Sequence, residues 1–177
     1  MQEQLLEAIP EFNLIQDADL REKTLKVWEE AMLGGGWQVS DLEKMPFTLL
    51  IPDCPANMIM HVRGVTQTAI AIADVFEKVY GKALPVKRDY LIAGGILHDV
   101  GKMLEYEKVD GKFVKSPLGK SLRHPFSGTC IAYKFGIPAE VMHLIAAHSK
   151  EGDHGARSVE GVIINHADFV NFESLKA

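Results

Sequence analysis

The stretch GGILHDVGKMLEY, residues 94–106, places a histidine and an aspartate side by side after an apolar run. Adjacent residues on a helix point about 100° apart, so one ligand contacts both side chains only at a helix end or when it is a metal cluster. The alternative is an ordinary helix terminus, with Gly101 as the stop, Lys102 near the last carbonyls and Asp99 facing water. This stretch by itself does not decide between the two interpretations.

Length and composition limit the class of protein. The 177 residues correspond to one domain of ordinary size, and 47% hydrophobic with 24% charged residues is typical of a soluble globular protein. A net charge of −5 argues against a dedicated nucleic-acid module, which usually carries a basic face. Cys54 and Cys130 give neither a disulfide framework nor a CxxC spacing, which favours a reducing, cytoplasmic location. The longest apolar run, residues 90–97, is too short to cross a bilayer, so we expect no membrane partner.

Helical periodicity dominates the chain. Apolar spacing, capping residues and stop signals predict helices over residues 19–33, 58–79, 88–100, 125–136, 138–150 and 158–172. The helix over residues 88–100 is apolar on nearly every side, so we expect it at the centre of the fold. Asp110-Gly111 lies between two short runs, residues 104–109 and 112–115, and predicts a β-hairpin. The predicted fold is therefore all-α, with a small β-hairpin insertion around residues 104–116.

The chain contains seven histidines, and several of them fall on predicted buried faces. A single histidine on an apolar face is usually a core residue with one hydrogen-bond partner. Four such residues in one small domain are hard to satisfy by separate neutral partners, whereas a shared metal site would satisfy them together. The four stand on an apolar stripe or at a helix start: His61, His98, His124 and His148.

The remaining histidines are expected to play no part in such a site. His143 lies opposite the apolar face of its helix, and His154 lies in a polar loop, so we expect both to be solvated. His166 and Asp168 are two residues apart on a helix, a rotation of about 200°, so only one of them can face a common site. The apolar pattern of that helix leaves the choice between these two open.

The ordered positions of these residues resemble a known family. The histidine at 61, the His98-Asp99 doublet and Asp168 resemble the H…HD…D signature of the HD-domain metal-dependent phosphohydrolases, over residues 61–168. HDVGK, residues 98–102, is similar to the HDIGK form of the HD-GYP cyclic-dinucleotide phosphodiesterases and RNase Y. GKSLRHP, IAAHS and HADF resemble the extended binuclear set, and the hairpin before His124 is similar to the HD domain of YhaM-type exoribonucleases. An isolated His-Asp dipeptide carries no information, but the ordered set of six is specific.

The resemblance implies a binuclear metal centre and selects Asp168 over His166. It assigns one ion to His61, His98, Asp99 and Asp168, and the second to Asp99, His124 and His148. Asp99 would bridge two divalent transition ions, with iron or manganese favoured and zinc, nickel or cobalt as alternatives. A hydroxide between the ions would attack phosphorus.

Two further residues are expected to act around this centre. Lys102, at the rim, is expected to act in catalysis and to bind the substrate phosphate, and Arg123 is expected to contact the substrate. No general acid for the leaving group stands out in the sequence.

Departures from the relatives bear on the substrate. No GYP motif is present, and Ser149 stands where many relatives have a second histidine. The chain has no room for the membrane anchor and RNA-binding modules of RNase Y, or for the OB domain of YhaM-type enzymes. These features favour hydrolysis of a phosphate ester in a nucleotide or other small phosphorylated metabolite. The alternatives are an HD-type diiron oxygenase with the same ligands, an RNA-directed phosphodiesterase of the RNase Y or YhaM kind, and a nucleotide sensor without turnover.

We expect a single HD domain over residues 1–177. Residues 54–177 would form the metal-binding core, and residues 1–53 would form a helical cover. This cover would either narrow the pocket or form the interface of a homodimer.

Overall fold

The computed structural model describes residues 1–177 and is helical apart from one β-hairpin. In chain order its α-helices are α1 (Gln2–Ala8), α2 (Ala18–Gly35), α3 (Val39–Leu42), α4 (Met58–Tyr80), α5 (Arg88–Leu97), α6 (Lys102–Glu105), α7 (Pro117–Ser121), α8 (His124–Lys134), α9 (Ala139–Ala147) and α10 (Val159–Lys176). The strands are β1 (Tyr106–Val109) and β2 (Lys112–Lys115), and short 3-10 helices cover Pro10–Leu14, Gly81–Ala83 and Lys150–Gly152. None of the helices combines the length and apolar character that a membrane span requires.

The long helices begin and end where local chemistry predicts. The side chain of Asn57 caps α4 by accepting a hydrogen bond from the Met60 N–H, and Ser158 caps α10 in the same way. Helix α2 ends at Gly36, whose φ of 75° is a conformation that glycine adopts without steric cost. The predicted helices are therefore present, and their ends differ from the predicted ones by a few residues.

Helix α5 lies at the centre of the fold, as its apolar composition predicted. Every residue from 91 to 97 is buried, between α4 on one side and α9 on another. A Cβ atom at Gly94 would come within 2.3 Å of the Leu144 side chain in α9, and one at Gly95 would come within 2.8 Å of Thr66 in α4. The two glycines therefore allow both neighbouring helices to approach closely. Helix α5 ends at Leu97, before the predicted end at residue 100, and residues 98–101 form a turn.

The hairpin confirms the prediction made from Asp110-Gly111. Strands β1 and β2 pair in antiparallel register from Tyr106 opposite Lys115 to Val109 opposite Lys112. Asp110 and Gly111 have φ angles of 49° and 79°, as a two-residue turn of this kind requires. Residues 104 and 105, which the sequence assigned to the first strand, belong instead to α6.

The N-terminal elements pack on the same core as α5. Leu5, Ile9 and Phe12 are completely buried and belong to the hydrophobic cluster that contains the central helix. The indole N–H of Trp28, in α2, donates to the carbonyl oxygen of Ile96 at 3.1 Å. The N-terminal part of the chain is thus attached to the helix that leads into the His-Asp doublet.

Candidate metal centre

His98 and Asp99 lie in the turn between α5 and α6, and both side chains are almost completely buried. The two carboxylate oxygens of Asp99 face different groups. Oδ2 lies 3.2 Å from His61 Nε2, whereas Oδ1 lies 3.2 Å from His124 Nε2. The turn therefore presents one carboxylate to two sets of side chains that come from different helices.

The first set combines α4, the end of α5 and α10. His61 Nε2 lies 3.3 Å from His98 Nε2 and 3.1 Å from Asp168 Oδ1, and His98 Nε2 lies 3.4 Å from Asp99 Oδ2. Burial raises the pKa of Asp168, but the hydrogen bond from His61 and the nearby His98 outweigh it and lower this pKa to about 2. Asp168 therefore faces the set as an anion at neutral pH.

The second set combines Asp99 with the first residue of α8 and the residue that follows α9. His124 Nε2 and His148 Nε2 are 3.3 Å apart, and His148 Nε2 lies 3.6 Å from Asp99 Oδ1. Burial lowers the pKa of His124 to about 4, although the carboxylate of Glu105 acts in the opposite direction. The imidazole of His124 is therefore neutral at neutral pH, which is the form that binds a metal ion.

Acceptors on the outer side of the rings fix the orientation of three imidazoles. His98 Nδ1 and His148 Nδ1 each lie within 2.8 Å of the carbonyl oxygen three residues earlier, and His124 Nδ1 lies 2.6 Å from Glu105 Oε2. Since a carbonyl or carboxylate oxygen only accepts, each Nδ1 carries a proton, and a neutral ring held in this way presents its Nε2 lone pair to a metal ion. In the second set, two Nε2 atoms thus face each other and a carboxylate oxygen.

A bound cation fits this convergence of acceptors. Two ligands at about 2.1 Å from one ion, separated by 90–110°, lie about 3.0–3.4 Å apart, and the contacts within both sets range from 3.1 to 3.6 Å. His61, His98 and Asp99 meet the spacing of a metal-binding group, and so do Asp99, His124 and His148. A mixture of imidazole and carboxylate ligands suits divalent transition ions. The residues that the sequence selected are therefore brought together in a donor set that could hold metal.

Lys102 lies deeper than the predicted rim position. It is the first residue of α6 and only 7% exposed, with Nζ 2.5 Å from Asp99 Oδ2 and 2.7 Å from the carbonyl oxygen of Phe47. Burial lowers the pKa of the ammonium, but Asp99 outweighs burial and raises it. Burial also raises the pKa of Asp99, but Lys102 and the histidines hold it well below its usual value. Because α6 begins three residues after Asp99, its first side chain reaches that carboxylate rather than solvent.

Two residues that were not predicted from the sequence, Glu105 and Phe47, support the site. Glu105 Oε2 accepts hydrogen bonds from both the backbone N–H of His124, at 2.8 Å, and Nδ1 of its ring. Burial raises the pKa of Glu105, but these contacts lower it to about 2, so it accepts as a carboxylate. The Phe47 ring stacks on His61 with centroids 4.0 Å apart. The sequence feature that could have indicated Glu105 is its charge between Leu104 and Tyr106. No motif or periodic spacing in the sequence indicates Phe47.

The ligand sets open into a pocket of about 420 Å³. Its lining carries five basic and three acidic side chains, so the pocket is positive although the chain has a net charge of −5. Arg123, a predicted substrate contact, lies in this lining, with Nε 3.4 Å from Glu151 Oε1 and 3.9 Å from Glu105 Oε1. The lining residues are Phe47, Thr48, Leu49, Leu50, Asp99, Lys102, Glu105, Tyr106, Lys115, Arg123, His124, Ser149, Lys150, Asp168, Phe169, Phe172 and Lys176.

The other histidines lie outside the two sets. His166 and His154 are exposed, and α10 turns Asp168 rather than His166 toward His61. His143 is half-buried rather than solvated, because its Nε2 accepts a hydrogen bond from the Ser158 N–H at the start of α10, at 3.2 Å. The neighbouring helix therefore gives His143 a structural contact that the sequence did not reveal.

Comparisons with known proteins agree with this geometry. The family model described as HD domain matches residues 58–170. The chain therefore belongs to the HD-domain family, within the metal-dependent phosphohydrolase superfamily, which confirms the family predicted from the sequence.

Two curated relatives are similar to this chain. The dihydroneopterin 2',3'-cyclic phosphate phosphodiesterase of Methanocaldococcus jannaschii is 39% identical over 116 residues, which cover 63% of this chain and 45% of that protein. Ribonuclease Y of Desulforudis audaxviator is 39% identical over 77 residues, which cover 44% of this chain and 12% of that protein. The chain thus spans less than half the length of each of these relatives. No solved structure is significantly similar to it.

Proposed function

We propose that this protein is a metal-dependent phosphodiesterase that cleaves a phosphate ester of a nucleotide or another small phosphorylated metabolite. The observation that carries the proposal is the position of Asp99, whose two carboxylate oxygens face separate pairs of imidazoles. A carboxylate between two donor sets is the arrangement expected for a pair of divalent ions acting on one phosphate.

The proposed division of ligands follows the two sets. His61, His98, Asp99 and Asp168 would hold one ion, and Asp99, His124 and His148 the other, with iron or manganese favoured. When bound, the ions would supply Lewis acidity and the water-derived nucleophile of hydrolysis.

Lys102 is proposed to neutralise part of the phosphate charge. Its ammonium lies beside Asp99 Oδ2 and lines the pocket, so it would lie next to a phosphate bound at the metal centre. Burial and the ion pair with Asp99 keep it in one place, which avoids the cost of ordering a flexible side chain during the reaction.

The pocket supports a small, anionic substrate. A volume of about 420 Å³ is suited to a ligand of mononucleotide size, and the excess of basic side chains attracts phosphate. The name of the Methanocaldococcus relative points to a 2',3'-cyclic phosphate of a heterocyclic compound as the first substrate to test. The ribonuclease Y relative keeps RNA as the second candidate, through a shorter match.

We also propose that residues 1–53 form a helical cover on the core of residues 54–177 within one domain. Glu11 supports this arrangement, because its buried carboxylate accepts hydrogen bonds from Arg63 and Gln67 of α4. The cytoplasmic location and the homodimer stay predictions, and light scattering of the purified protein tests the dimer.

The test is a substrate screen of protein purified without chelator, with its metal content measured by elemental analysis. The panel contains bis(p-nitrophenyl) phosphate, 2',3'-cyclic nucleotides, dihydroneopterin 2',3'-cyclic phosphate, 3',5'-cyclic nucleotides and short RNA, each with and without oxygen. We expect about two ions per chain and turnover of a small phosphodiester without oxygen. Activity that requires both iron and oxygen would replace the proposal with the diiron oxygenase, and preference for RNA would replace the small substrate.

A further inference from the structure

The pocket lining is divided into an apolar and a basic part. The apolar shelf, defined as Leu49, Leu50, Phe169 and Phe172, combines the segment before α4 with one side of α10. The basic edge, defined as Lys115, Arg123 and Lys150, combines β2, the residue before α8 and the 3-10 helix after α9. Lys176, one turn after Phe172, is the cation that lies on α10 itself.

The apolar shelf adjoins the His61 end of the metal centre. Phe172 contacts Phe47 edge to face, with centroids 6.2 Å apart and planes at 82°, and Phe47 in turn stacks on His61. Phe169 and Phe172 follow Asp168 on α10 by one and four residues. A group packed on this shelf would therefore lie beside His61 and Asp168.

The basic edge adjoins the His124 end. Lys115 Nζ lies 3.5 Å and Arg123 Nε 3.9 Å from Glu105 Oε1, and the other oxygen of Glu105 holds His124. Arg123 also faces Glu151. Lys115 and Arg123 thus face two carboxylates, and Lys150 forms no ion pair, so the edge keeps a net positive charge beside His124.

We propose that this division orients the substrate, with a planar heterocycle on the apolar shelf and the anionic part toward the basic edge. An aromatic ring gains from packing on Phe172 and Leu50, and the anionic part of the substrate gains from the cations of the basic edge. The substrate class is therefore a phosphodiester that carries a planar heterocycle, and Phe172 is a specificity-determining residue. This inference rests on the proposed phosphodiesterase function.

The experiment compares two substrates that share the reacting ring but differ in the heterocycle: adenosine 2',3'-cyclic phosphate and glycerol 1,2-cyclic phosphate. Phe172→Leu, which keeps an apolar side chain, and Phe172→Ala should raise KM for the adenosine compound about tenfold and leave the glycerol compound unchanged. Arg123→Ala should raise KM for both compounds by a similar factor, because both carry the same phosphate charge. Phe126→Ala, an exposed phenylalanine of α8 outside the pocket lining, is the matched control.

The outcomes separate the inference from the proposed function. An equal effect of Phe172→Leu on both substrates would overturn the position of the heterocycle, and a larger effect of Arg123→Ala on the adenosine compound would reverse the orientation. If metal-loaded wild type cleaved neither of these two substrates nor any other phosphodiester of the screen, the proposed phosphodiesterase function would be refuted. Calorimetry would then measure the binding of adenosine 2'-phosphate and glycerol 2-phosphate to wild type and to Phe172→Leu. Weaker binding of the adenosine ligand alone by Phe172→Leu supports the inference. If Phe172→Leu binds the adenosine ligand as tightly as wild type does, the inference is overturned. Thermal unfolding of each variant excludes loss of the fold as the cause.

Discussion

Replacing Glu105 should lower the affinity for metal although Glu105 is not itself a proposed metal ligand. Glu105 Oε2 accepts two hydrogen bonds from His124, one from the backbone and one from the ring. Glu105→Ala leaves both donors buried and unpaired, and it frees the His124 ring to rotate or to change its tautomer. Glu105→Gln keeps an oxygen that can accept both bonds, but it removes the negative charge that faces Lys115 and Arg123.

The expected magnitudes follow from these contacts. Each unpaired buried donor costs about 1–3 kcal/mol, so the loss of both partners in Glu105→Ala should lower the free energy of unfolding of the metal-free protein by about 2–6 kcal/mol. Loss of a carboxylate that orients a histidine ligand typically costs about 10–100-fold in metal affinity, and this loss should fall on the ion bound near His124. Glu105→Gln should fold nearly as stably as wild type and lose less affinity than Glu105→Ala.

The assay is titration of metal-free protein with Mn²⁺ by calorimetry, together with urea unfolding of the same samples. Glu107→Ala, at a neighbouring hairpin position outside the pocket lining, serves as the control. One binding event should weaken selectively in Glu105→Ala and the other should persist. If Glu105→Ala remained folded and the affinities of both binding events fell, or neither fell, Glu105 would not act through His124.

Three further predictions use the same measurements of metal content and turnover. Asp99→Ala should lose both ions and all activity, His148→Ala should lose one ion preferentially, and His166→Ala should lose neither. The assignment of the ligands would be contradicted if His166→Ala lost metal while Asp99→Ala kept both ions. Lys102→Ala should keep its metal and reduce kcat on a phosphodiester about 100-fold, by analogy with removal of one stabilising donor, and an unchanged kcat would remove the lysine from the mechanism. Gly101→Ala should lower the free energy of unfolding by about 1–3 kcal/mol and displace α8, because a Cβ atom there would lie 2.1 Å from the carbonyl oxygen of His124. If the stability of this variant in urea equalled that of wild type, the close packing of α8 on Gly101 would be contradicted.

The behaviour of Gly101 shows why a local pattern has limits. A glycine after a helix suggests a stop with a positive φ, but here φ is −64° and any residue could adopt it. The glycine is required instead because α8 passes directly over it, next to Gly128. Its role depends on a contact between segments more than twenty residues apart.

The sequence by itself determined the elements of the fold and the identity of the family. Apolar periodicity predicted the long helices, because one face of each must be buried, and Asp110-Gly111 predicted the hairpin, because its backbone angles suit few other residues. The buried character of α5 also predicted its central position. These features follow from the order and spacing of residue types along the chain, which can be recognised without the three-dimensional structure.

Only the tertiary structure decided how the side chains around the doublet are shared. Periodicity left His166 and Asp168 equivalent, and the family resemblance selected Asp168 without a physical reason. The packing of α10 against α4 supplies that reason, because it brings Asp168 to His61. The role of Glu105 and the burial of Lys102 depend on α6 turning back between α2 and α8, which no local pattern specifies. The physical reason is the same in each case: a side chain's charge and hydrogen bonds are set by the partner that meets it, and that partner comes from a distant helix.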